Sequence, residues 1–107
     1  MLRIYDLCLE LVREVMPLVG VIGRHDPDLA RQCRRALSSA PLNLAEGSYS
    51  RGGNRIARYH GALGSVRETL ACLEVAEACG YLPRIEEPLR QRFDHVIGTL
   101  VNLVVRH

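Results

Sequence analysis

Apolar residues recur at spacings of three and four in four separate segments, and no segment alternates with the period of two that a half-buried strand needs. In the first segment Ile4, Leu7, Leu11, Val15, Leu18 and Ile22 form the stripe, with Arg3, Asp6, Glu10, Arg13 and Glu14 on other faces. Leu9, Val12, Met16 and Val19 widen it beyond what one core requires, which predicts a second buried face against another subunit. Pro17 inside this segment predicts either a kink or an end and a restart. The second helix starts at Asp26-Pro27-Asp28, an N-cap acceptor followed by proline at the first helical position. Its apolar face is Leu29, Cys33, Ala36, Leu37, Ala40 and Leu44, and it should run to about Tyr49.

"RGGN", residues 51–54, breaks the chain, and Asn54 is the predicted N-cap of the third helix. Ile56, Tyr59, Leu63, Val66, Leu70 and Leu73 keep an a/d pattern there. Ala57, Gly61 and Ser65 line up four apart and Gly64 adds another gap, so a neighbouring helix should approach closely. Gly80 is the expected stop, and Pro83 prevents continuation. A fourth helix starting near residues 85–88 presents Leu89, Phe93, Val96, Ile97, Leu100, Leu103 and Val104. Connections this short favour antiparallel neighbours, so the expected fold is all-α: an antiparallel up-down-up-down four-helix bundle in one domain, residues 1–107. Pro41 denies its own N–H to the Leu37 carbonyl, which predicts a kinked second helix, with Ser38, Ser39 and Asn43 near enough to serve the freed backbone groups.

Composition narrows the function. The longest apolar run, "VMPLVGVIG" at 15–23, falls short of the roughly 20 residues that cross a bilayer, so a cytoplasmic protein with no membrane partner is expected. Cys8, Cys33, Cys72 and Cys79 form no C-x-x-C pair and read as reduced core residues. None of His25, His60, His95 and His107 follows a glutamate by three, as a di-iron bundle would require. No phosphate-binding loop, nucleophile elbow or HExxH motif occurs either, so neither enzyme activity, cofactor nor metal is expected.

"RRALSSAPLNLAEG" at 34–47 and "LGSVRETLACLEVAEACGYL" at 63–82 carry a resemblance. They resemble the signature segments of a four-helix-bundle family encoded in intervening sequences of bacterial large-subunit ribosomal RNA genes. The matching residues are Ser39, Pro41, Asn43, Ala45, Glu46 and Gly47, then Gly64, Ser65 and Glu68, then Gly80, Tyr81 and Leu82. Thr69, Leu44, Ile56 and Tyr59 depart from the family pattern by changes of volume. A fold relative is the accessory variability protein of diversity-generating retroelements, a homopentameric barrel that works with a reverse transcriptase and its RNA. The resemblance therefore implies a non-enzymatic homopentamer whose partners are RNA or DNA, or a protein such as a reverse transcriptase.

All 14 basic residues are arginine, each a planar fork suited to carboxylates and phosphates, and the formal net charge is only +2. In an antiparallel bundle Arg3, Arg51, Arg55, Arg58 and Arg106 gather at one end with Asp6 and Glu46, a local charge of +3. The opposite end, which includes Arg34 and Arg35, balances to zero. Repeated around a ring, the first end would form an arginine-rich rim able to meet nucleic-acid phosphates. The alternatives are a solvated helix start whose arginines pair with Glu46 and other acids, and a protein scaffold that touches no nucleic acid. Glu68 is expected opposite Arg34, and Glu46 one turn from Arg55 and Arg58, as partners across the second and third helices. Pro41, Asn43, Glu46 and Gly47 read as a structural motif that shapes the second helix.

Overall fold

The computed structural model describes residues 3–106; Met1, Leu2 and His107 lie outside the described residues. Four helices, α1 (Arg3–Gly23), α2 (Pro27–Ser48), α3 (Gly52–Ala78) and α4 (Glu87–Arg106), account for the fold, with no strand among the described residues. At about 1.5 Å per residue, α3 spans the 42 Å long axis of the molecule by itself. The most extensive packing is between α2 and α3, then α1 with α2, α3 with α4 and α1 with α4.

Local chemistry explains most boundaries. Asp26 Oδ1 accepts the Leu29 N–H at 3.0 Å with Pro27 behind it, so α2 begins where its capping residues stand. At the end of α3, Gly80 adopts φ +80°. The Tyr81 N–H donates to Ala76 O at 2.8 Å and the Gly80 N–H to Glu77 O at 3.0 Å, which closes the last turn and releases the chain. Glu77 Oε1 then accepts the Ile85 N–H at 2.8 Å and fixes the connection to α4. His25 stacks on Tyr81 at 5.2 Å, joining that connection to the one between α1 and α2.

α1 continues through Pro17 as one helix, so the end-and-restart alternative does not occur: Pro17 and Arg13 are both exposed, and water can serve the carbonyl that proline leaves without a donor. α3 starts at Gly52, not after an Asn54 cap, because Gly52 takes φ +57° and turns the chain two residues earlier.

The core is formed by one stripe from each helix, including Leu11 and Val15, Leu37 and Leu44, Val66 and Leu73, and Phe93, Val96 and Leu100. Of the residues that widen the α1 stripe, Val19 is buried and Val12 and Met16 are partly buried against this core, so much of the apolar surplus on α1 is used within the chain. Cys8, Cys33 and Cys72 are buried, and burial pushes the first two thiols up to about 12 and raises the third. Cys79, expected in the core, is exposed because it is the C-cap residue of α3.

Candidate nucleic-acid interface

The seam between α2 and α3 positions the candidate site. Contacts pair Gln32 with Glu68, Ser39 with Ser65, Asn43 with Gly61 and Gly47 with Tyr59. Numbers rise on one helix as they fall on the other, so the two run antiparallel. A Cβ on Gly47 would stand 2.6 Å from Tyr59 Cε1, and one on Gly61 would stand 3.0 Å from Asn43 Oδ1. Two residues of the small-residue row, Gly61 and Ser65, serve the close approach. Ala57 and Gly64 do not, since both are exposed and nothing lies within 4 Å of a Cβ built on Gly64.

Asn43 Nδ2 donates to Ser39 O at 3.0 Å and to Ser39 Oγ at 2.9 Å. Ser65 Oγ reaches the same hydroxyl from α3 at 2.9 Å, and Thr69 Oγ1 donates to Ser65 O at 2.8 Å. Pro41 is buried beside this network, and α2 passes through it unbroken. The motif around Pro41, Asn43 and Gly47 thus joins two helices through a polar network and a close contact.

At the α2–α3 turn, Arg55 Nε donates to Ser50 O at 3.0 Å and to Gly47 O at 3.3 Å, and Ser50 Oγ donates to Glu46 O at 2.9 Å. Arg55 therefore ties together the carbonyls of Gly47, which also accepts the Ser50 N–H, and Ser50 at the end of α2, a role its numbering did not reveal. Arg51 and Arg58 are exposed on either side of it. Arg3 and Arg106, both exposed, line one hollow of about 280 Å³ with Thr99 and Asn102. Among the described residues none of these five arginines takes part in an ion pair, and neither does Glu46.

The arginines that do pair lie elsewhere. Arg31 meets Asp28 at 2.9 Å, and Arg90 meets Glu77 at 3.7 Å and Glu74 at 3.8 Å. Arg92 clamps α4 to α1, with one terminal nitrogen 3.0 Å from Glu10 Oε2 and Nε 2.7 Å from Glu14 Oε1. The Nε contact lacks hydrogen-bond alignment and acts by charge alone. Glu68 takes Gln32 at 3.4 Å as its partner in place of the expected Arg34, because the register across the seam sets Gln32 opposite it.

Arg34 and Arg35 lie in the first half of α2, and Arg35 also borders a hollow with Asp28, Arg31 and Glu68. Both arginines line an open cavity of about 470 Å³ between α2 and α3 together with Ser38, Ser39, Asn43 and Arg58, with Leu42 and Glu46 completing its wall. The basic surface of the turn is thus continued up α2. The signal was the spacing of 35, 38, 42 and 46 along one helix face, readable only once α3 is set in register beside it.

Among the described residues no three His, Cys, Asp or Glu side chains are grouped to hold a metal ion, and no helix is long and apolar enough to cross a membrane. No curated protein matches the chain. Its fold is shared by a crystal structure from Bacteroides thetaiotaomicron described as a protein of unknown function from the S23 ribosomal protein family. The TM-score is 0.83 at 19% identity, over 94% of this chain and 97% of that one. The sequence profile of the 23S rRNA-intervening sequence proteins matches residues 1–102, nearly the full length, and the chain belongs to that family.

Proposed function

We propose that the chain is a non-enzymatic, cytoplasmic accessory protein that assembles as a homopentamer of up-down-up-down bundles and binds nucleic acid, RNA in the first instance, through its arginine rim. The observation that carries this reading is that Arg51, Arg58, Arg3 and Arg106 are exposed and, among the described residues, unpaired with acids. A guanidinium without a carboxylate partner keeps its full capacity for phosphate. The antiparallel α2–α3 register and the packing of α1 on α4 support the bundle arrangement. Half-buried Leu9 and the 77% exposed Val105 support self-association through α1 and α4. The proline at position 41 supports a bend in α2 that shapes the subunit for a ring.

Fluorescence polarisation with labelled RNA tests the binding, and light scattering the assembly. Binding should weaken with salt and fall at least about tenfold in Arg51→Glu with Arg58→Glu, which spares the turn-forming Arg55. Unchanged affinity in that double variant, or no binding at low salt, would remove the nucleic-acid role. Persistence of the oligomer in that case would leave a protein scaffold. A strict monomer would remove the assembly.

A further inference from the structure

We propose that the outer face of α2, from Arg34 to Tyr49, binds single-stranded nucleic acid. Backbone phosphates would lie against Arg34, Arg35 and Arg58, and one unpaired base would stack on Tyr49. This inference rests on the nucleic-acid reading above and names the form of ligand and the surface that reads it.

The first observation is the aromatic inventory. The chain has four tyrosines, one phenylalanine and no tryptophan. Phe93 and Tyr59 are in the core, and Tyr5 and Tyr81 pack against it. Tyr49 alone stands 85% exposed, at the C-cap of α2 where the rim begins. It contributes little to the fold and offers an open π-face beside Arg51.

The second observation is the cavity. Arg34 and Arg35 from α2 and Arg58 from α3 border a single open hollow of about 470 Å³, and among the described residues none of them is in an ion pair. Arginines set at the two ends of one open hollow and free of ion-pair partners suit successive phosphates of a strand rather than one anion. Leu42, 65% exposed, lies on this wall two helical turns before Tyr49, about 10 Å along the axis. Cationic and apolar or aromatic positions therefore alternate along one face, the pattern that holds a strand by its phosphates and its bases together. In a duplex the bases are stacked on one another and inaccessible to Tyr49, whereas in a single strand they are free. Glu46 also lines the cavity and repels phosphate, which sets it towards the Arg34 and Arg35 side.

The test uses the intact protein and labelled oligonucleotides of about 12 nucleotides, offered as single-stranded RNA, as single-stranded DNA and as duplex. Single strands should bind more tightly than the duplex. Tyr49→Ala should weaken single-strand binding about tenfold while Tyr49→Phe retains it. Arg35→Ala with Arg58→Ala should lower the salt slope by about 1.4, and Glu46→Gln should strengthen binding. Equal affinity for RNA and DNA identifies phosphate and base as the shared chemistry, and preference for RNA adds recognition of the 2′-hydroxyl. The proposal is overturned if the duplex binds as well as the strand, if Tyr49→Ala changes nothing, or if polyglutamate competes as well as unlabelled strand. Loss of all polyanion binding by the wild type would instead remove the reading on which it rests. Circular dichroism should show each variant as helical as the wild type, because these side chains lie outside the core.

Discussion

Where α2 meets α3, the helices touch through glycine, serine and asparagine: Gly47 under the Tyr59 ring, Gly61 under the Asn43 amide, Ser39 hydrogen-bonded to Ser65. Where α1 meets α4, Arg92 reaches across to Glu10 and Glu14 from side chains that remain a third to a half exposed. A glycine backbone pressed against a neighbouring side chain too closely for a methyl group leaves little latitude in register. Long charged side chains tolerate considerable latitude, and water screens what they contribute. The contrast shows why the motif around Pro41 belongs to architecture. It shapes the tighter seam, and that seam in turn presents Arg34, Arg35 and Arg58 to one cavity.

The largest effect expected from breaking this contrast is at Gly47. Gly47→Val forces a branched side chain into the buried Tyr59 ring and should cost about 3 kcal/mol, lowering Tm by more than about 10 °C. Gly64→Ala, a change on the same pair of helices but in open space, should instead raise stability by about 0.5–1 kcal/mol. If both variants melt alike, the close approach is not what holds the seam. Next in size is Asn43→Ala, which removes both donations to Ser39 and should cost about 1–2 kcal/mol in urea denaturation. The smallest effect belongs to the looser seam: Arg92→Ala should cost less than about 1 kcal/mol, and about 1 M salt should erase most of the difference from wild type. A loss at Arg92 equal to that at Gly47 would abolish the distinction.

Features set by neighbouring residues were legible in the sequence. Asp26-Pro27 starts α2 and Gly80 ends α3 because the groups they satisfy are within a turn of them. The proline at 17 left two outcomes open, a kink or a break, since sequence alone does not tell whether the orphaned carbonyl faces water or core. Arg55 was legible as a charge and not as the donor to Gly47 O and Ser50 O, because that role depends on how tightly Gly52 turns the chain. Numbering alone put Arg34 and Arg35 at a neutral end. The register across two helices opens a hollow that they border together with Arg58, and no spacing within one helix encodes that.

The turn pinned by Arg55 has a consequence for the order in which the molecule forms. Ser39 and Ser65 are 26 residues apart, whereas Glu10 and Arg92 are separated by 82. Closing the longer loop from an open chain costs about 1 kcal/mol more in entropy, and the contacts that reward it are weaker. The hairpin of α2 and α3 is therefore the natural nucleus, with α1 and α4 joining it afterwards. On the return path α1 and α4 should part first, so their amides should exchange with solvent before those flanking Ser39 and Ser65.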